Sequence, residues 1–185
     1  MSFPTEYKGR LVTALDTLDL TKVDEAIAAL HTARNEGRQI FVCGNGGSAA
    51  TANHFACDML KGASYGREKR FRIVALSEPV STLTAYANDV SYDAVFVEQL
   101  KNFANPGDVL IAISASGNSP NVINSVEYAR SIGVYTISLS GRDGGKLRPL
   151  SDLSLHVDDG HMGRIEDAHM VICHMIGYHF MDVEK

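Results

Sequence analysis

The chain has 185 residues, 45% of them hydrophobic and 21% charged, with a formal net charge of −5. That is enough chain for one well-packed domain, with too normal an apolar fraction for long disorder and too acidic a balance for binding nucleic acid through a basic surface. No run of about 18 apolar residues is present, Ser2 to Arg10 lacks the apolar core of a secretory leader, and three cysteines without a CxxC spacing suggest neither a disulfide framework nor a zinc ribbon. These readings predict a cytoplasmic protein with no membrane or nucleic-acid partner. It is expected to be a single domain over residues 1–185, with N-terminal helices to about residue 37 and an α/β core beyond.

Taken in chain order, Leu11 to Leu18 reads as a helical piece. Val23, Ala26, Ile27 and Leu30 then recur at helical spacing from Thr21 to Arg34, with Thr21 as the expected N-cap and Gly37 as the stop. Gln39 to Cys43 is a short apolar run that enters a glycine loop, and Ala49 to Lys61 is helical. Arg72 to Leu76 is a second strand, followed by helices around Val80 to Ala87 and Ala94 to Phe103. After the Asn105-Pro106-Gly107 turn comes a third strand, Asp108 to Ser114, and a helix from Pro120 to Ser131 closed by Gly133. Val134 to Ser140 and Leu153 to Val157 are the fourth and fifth strands, and Arg164 to Glu184 is a long final helix. Strands with continuous apolar character, separated by helices, predict a three-layer, doubly wound, five-stranded parallel sheet. Ligands bind such sheets beyond the carboxyl ends of the strands.

Sixteen glycines are present, and several cluster at such ends. The first cluster is Gly44-Asn45-Gly46-Gly47-Ser48. It lets the backbone approach a ligand and presents the N–H groups of the next helix to an anion. Two other readings stand beside that one: a bare tight turn, and a dinucleotide loop, because Gly44, Gly46 and Ala49 fit G-x-G-x-x-G/A with Glu78 just past the second strand. The second cluster is Ser114-Ala115-Ser116-Gly117-Asn118-Ser119, rich in hydroxyls that suit reversible binding of a phosphate ester; simple serine capping would need only one of them. Two oxygen-rich loops at neighbouring strand ends fit a phosphosugar better than a dinucleotide. His54 and Asp58, four apart, share a helix face, and the last helix carries Glu166, His169 and His174. Glu166 and His174 are separated by about 12 Å of helix rise, so one ion does not easily take both from a single regular helix. The alternative for each histidine is a structural or surface role.

These segments follow one another in an order that resembles the SIS (sugar isomerase) domain: Cys43 to Ser48, His54-Phe55-Ala56, Ala87-Asn88-Asp89, Ser114 to Ser119, Gly141 to Lys146 and Arg164-Ile165-Glu166. Within it the chain is similar to the phosphoheptose isomerases, which convert sedoheptulose 7-phosphate to the mannoheptose 7-phosphate. The resemblance implies sugar-phosphate contacts from Asn45, Gly46, Gly47, Ser48, Asn88, Asp89, Asp58 and Glu166, and a phosphate seat at Ser114, Ala115, Ser116 and Ser119. It implies one zinc ion per subunit held by His54, Asp58, Glu166 and His174. Acid/base work would fall to Asp58, His174 and Glu166, in a homotetramer with sites between subunits. The family usually carries Glu at the position of Asp58, Gln at Glu166 and Thr at Ala115. Two other functions belong to relatives of the same fold: an enzyme acting on another phosphosugar, and a non-catalytic module like the bacterial protein that binds the replication initiator. The latter lacks the ionisable pair, whereas Asp58 and His174 are both titratable here. The reaction implied is aldose–ketose isomerisation through an enediol.

Overall fold

The computed structural model describes residues 2–184. Five strands form the sheet: β1 (Gln39–Gly44), β2 (Arg72–Ala75), β3 (Val109–Ser114), β4 (Tyr135–Ser140) and β5 (Leu153–His156). All pairings are parallel, in the order β2-β1-β3-β4-β5. The central strands explain this arrangement. Every residue of β3 is buried, and so is all of β1 after Gln39, so both faces of the sheet must be covered, and only helical crossovers do that for parallel strands. The expected α/β architecture is therefore the observed one.

One layer contains α1 (Phe3–Asp16), α2 (Leu20–Asn35), α3 (Gly47–Cys57) and α8 (Met162–Tyr178), packed on Ile40, Val42, Ile111, Ile113 and Ile137. The other contains α4 (Val80–Asp89), α5 (Val97–Phe103), α6 (Pro120–Ser131) and the short α7 (Leu147–Leu150), over Phe41, Leu110 and Ala112. Successive residues of each strand thus feed opposite cores.

Several boundaries differ from expectation for identifiable reasons. The first helix begins at Phe3, not Leu11; only Ala14 of it is buried, so its apolar residues carry little periodic signal. The cap of α2 is Asp19, whose side chain accepts from the Thr21 N–H, which places Thr21 inside the helix. The third helix is regular only to Cys57 and continues as a π-turn, Asp58–Gly62, in which the Ala63 N–H donates to the Asp58 carbonyl at 3.0 Å. The last helix is regular to Tyr178 and ends in a second π-turn, His179–Val183.

Two placements set up the site. The chain leaves β1 toward β2 and leaves β3 toward β4, in opposite directions along the sheet, so the loops after β1 and β3 diverge and leave a crevice between them. In addition, α3 and α8 run side by side in the same direction. Glu166 meets Gly47 near their starts, His174 meets His54 about two turns on, and Met181 fills the space beside Gly62 at the two π-turns.

Candidate active site

The loop after β1 is shaped by glycine. Gly46 has φ 55° and ψ −121°, a region closed to residues with a Cβ. A Cβ on Gly44 would strike Ser48. The first turn of α3 has no side-chain cap, so its N–H groups remain for an anion. The start of α6 behaves likewise. Ser119 occupies the cap position without a capping bond; its hydroxyl lies 3.1 Å from that of Ser114, which stands 3.5 Å from Ser116. Serine capping is therefore not what these hydroxyls do. They gather at the mouth of the crevice beside an uncapped helix start.

A third loop fixes this arrangement from behind. Gly117 (φ +64°) lies so close to the Gly144 carbonyl that a Cβ would collide with it. The Gly141 N–H donates to Ala115 O (3.1 Å), and the Leu147 N–H donates to Gly117 O (3.0 Å). The Lys146 N–H donates to Asn118 Oδ1 (3.2 Å). The Gly141-to-Lys146 motif is thus a backbone brace for the serine loop.

Between the two loops lies an open cavity of about 280 Å³, lined by residues 45–48, by Ser114, Ala115, Ser116 and Ser119, and by Met162 and Glu166. The Glu166 carboxylate rests against Gly47, where a Cβ would displace it. A larger groove of about 980 Å³ lies away from these loops. It runs along the β2 edge over Leu60, Val74 and Phe103, with charged residues such as Arg38, Lys61, Arg72 and Glu78 around it, and includes none of the residues of the glycine and serine loops.

About 10 Å along α3 from Gly47, three ligand-type side chains converge. His54 Nε2 is 3.1 Å from His174 Nε2 and 3.2 Å from Asp58 Oδ2, and His174 Nε2 is 3.8 Å from the same Asp58 oxygen. The two histidine side chains are 49% and 43% exposed and that of Asp58 24%, which leaves the cluster open on one side. The π-turn begins at Asp58 itself, and such turns recur at functional sites. Two imidazoles and a carboxylate within 4.8 Å of one another form a donor set suited to zinc, with positions left for water or substrate. Of the four residues expected at a metal, these three come together, while Glu166 sits two helical turns away in the cavity.

Asn88 and Asp89 are exposed at the end of α4, with the Asn88 amide donating to Asp89 Oδ1 at 2.7 Å, and they do not line the cavity. The thiols of Cys43 and Cys173 are both pushed up to about 12 by burial, so neither serves as a nucleophile near neutral pH. Two polar residues beside the cavity escaped sequence reasoning. Tyr92 donates its hydroxyl to Asn45 Oδ1 (2.8 Å), and Asn121 exchanges amide hydrogen bonds with Asn45 (2.8 and 2.9 Å). The only signal for Asn121 was its place one residue inside the helix that follows the serine loop.

The family model described as the SIS domain matches residues 5–141. A phosphoheptose isomerase of Helicobacter pylori is 41% identical over 170 residues, covering 92% of this chain and 88% of that protein. One from Aliarcobacter butzleri is 46% identical over 171 residues, covering 92% and 89%. The solved phosphoheptose isomerase of Neisseria gonorrhoeae superposes with a TM-score of 0.88 at 32% identity, covering 95% of each chain. With an uncapped pair of helix starts at the crevice and a relative of known name across nearly its whole length, the chain belongs to the SIS-domain family, among the phosphoheptose isomerases.

Proposed function

We propose that the whole chain works as one cytoplasmic SIS domain that interconverts sedoheptulose 7-phosphate and D-glycero-D-manno-heptose 7-phosphate. The observation that carries this reading is the parallel register of α3 and α8. It sets an anion seat at one end and an acid/base cluster about two turns away, a span suited to a sugar phosphate bound in extended form. Ser114, Ser116 and Ser119, with the Ala115 backbone, hold the phosphate by hydroxyls and helix N–H groups. A net charge of −5 does not oppose this, because no basic surface is needed. Asn45, Gly46, Gly47 and Ser48 contact the sugar, and Asn88 and Asp89 reach it from outside the cavity, their segment tied to Asn45 through Tyr92. Glu166, beside the phosphate seat, accepts from sugar hydroxyls.

His54, Asp58 and His174 would hold a zinc ion, which when bound supplies Lewis-acid polarisation of a carbonyl. The protein's own groups move the proton. A base removes the proton α to the carbonyl and returns it to the former carbonyl carbon, while an acid protonates the carbonyl oxygen and the neighbouring hydroxyl gives up its proton to become the new carbonyl. An imidazole can both take up and release a proton, so His174 suits the shuttle to the extent that it is free of metal. Asp58 serves as base to the extent that its carboxylate is free of metal, and Glu166 is the second carboxylate in reach of the bound sugar. The half-exposed cluster is consistent with a homotetramer in which neighbouring copies close the site.

The test is an isomerase assay across several ketose phosphates, with and without zinc, alongside light scattering for the assembly. Turnover of sedoheptulose 7-phosphate that drops by about 10²-fold or more in Asp58→Asn and in His174→Ala is the expected result. Activity that survives both substitutions removes the acid/base assignment. Preference for a different phosphosugar removes the substrate, and capture of a replication initiator without any turnover supports a binding module instead.

A further inference from the structure

Asn45 stands at the junction of three segments that are far apart in sequence. It lies in the loop after β1, and its side chain is engaged on both sides. Its Nδ2 donates to Asn121 Oδ1 at 2.8 Å, and its Oδ1 accepts from Asn121 Nδ2 at 2.9 Å and from Tyr92 Oη at 2.8 Å. A primary amide offers two hydrogens and two lone pairs. The cyclic pair with Asn121 and the bond from Tyr92 use both lone pairs and one hydrogen, which leaves the second N–H for the cavity that Asn45 lines.

The partners differ in character. Asn121 is 1% exposed, in the first turn of α6 directly behind the serine loop. A buried amide is costly unless paired, so Asn121 specifies the Asn45 conformation strongly. Tyr92 is 57% exposed and lies in a short 3-10 turn three residues after Asp89. Its ring is not held by a core. The helix before it, α4, has no fully buried residue and meets the core through the partly buried Leu83, Tyr86 and Ala87. The hydroxyl of Tyr92 is therefore a specific tie between the Asn88–Asp89 segment and the loop after β1. Segments with few buried contacts open locally at low free energy, so a single hydrogen bond there carries weight.

We propose that Asn121 and Tyr92 are positioning residues for the isomerase reaction. Asn121 fixes the Asn45 amide against the phosphate-binding helix, and Tyr92 tethers the Asn88–Asp89 segment to that same amide. This rests on the reading that Asn45, Asn88 and Asp89 contact the sugar.

Tyr92→Phe removes one hydroxyl from an exposed ring and leaves folding intact. It should raise KM for sedoheptulose 7-phosphate by about tenfold with kcat within about twofold, the mark of lost ground-state organisation. Hydrogen exchange of amides 88–94 in the full-length protein should become about tenfold faster, since one such bond has about that equilibrium value. Asn121→Ala should show the same split. Adding Tyr92→Phe to it should change KM by less than about threefold, because both act through one Asn45 oxygen. An unmoved KM or unmoved exchange in Tyr92→Phe overturns the proposal, as does full multiplication of the two effects. If the unaltered protein does not turn over sedoheptulose 7-phosphate, the functional reading fails, and the exchange measurement alone decides this one.

Discussion

His169 shows how burial of one residue writes a pH dependence into the fold. It sits on the core side of α8, 1% exposed, and neither ring nitrogen has a hydrogen-bond partner among the described residues. Burial pushes its pKa down to about 4, with the Ser140 backbone beside it opposing the shift and the neighbouring His156 adding to it. A depressed imidazole stays neutral in the folded chain while the unfolded chain takes up a proton below about 6.5. Stability is therefore complete above about pH 6.5 and falls as pH drops toward 4, at about 1.4 kcal/mol per pH unit, with no further loss from this group below that. Over the whole window the loss is about 3 kcal/mol. His169→Leu removes the titrating group and should make the curve less steep between pH 6.5 and 4, leaving the slope from His156, whose pKa burial also lowers. Asp159 and Glu184, whose carboxylates are held low by Arg164 and Arg34 respectively, lose stability at lower pH in both proteins. Urea denaturation at several pH values checks this, and parallel curves for the two proteins would refute it.

At the scale of elements, the serine loop and the Gly141-to-Lys146 loop behave as one unit, because their backbones touch where only glycine fits. Gly117→Ala meets two obstacles, a left-handed φ and the Gly144 carbonyl. The first costs about 1–2 kcal/mol and the second about 1–3 kcal/mol, so a loss of about 4–20 °C in melting temperature is expected for a chain of this size. Gly37→Ala is the contrast: its φ is +67°, but nothing lies within 4 Å of the added carbon, so only the first cost applies. Equal melting losses for the two variants would show that the loops are not braced against each other. The loops themselves were legible in the sequence, because glycine and serine clusters at strand ends have few other uses, and the sheet was legible because β1 and β3 are continuous apolar runs. The π-turns were not. Nothing in the side-chain pattern distinguishes Asp58–Gly62 from more α-helix; the turn is seen only in the backbone bond from the Ala63 N–H to the Asp58 carbonyl. Tyr92 and Asn121 were missed for a related reason. Their value lies in a bond to Asn45, 47 and 76 positions away, and no periodicity reports such a pairing.

Across the whole molecule, the cluster of His54, Asp58 and His174 joins elements that the sequence keeps apart. The two histidines are separated by 120 positions, and they bring α8 onto α3 at a point where the helices are half open to solvent. A divalent ion bound there would cross-link the two helices in the native state and find no preformed site in the unfolded chain. By mass action, zinc at about a hundred times its dissociation constant adds about 2.7 kcal/mol of stability, which for a chain of this length is about 5–10 °C in melting temperature. His54→Ala should remove that increment. It should leave the metal-free melting temperature within about 1 °C, because His54 is half exposed and exposed ion pairs contribute little. Seven-carbon substrate is not needed for the measurement, so the thermal shift separates metal binding from turnover. The same zinc-induced shift in His54→Ala as in the unaltered protein would place any bound ion elsewhere and leave the two histidines as a hydrogen-bonded pair that holds the helices together without metal.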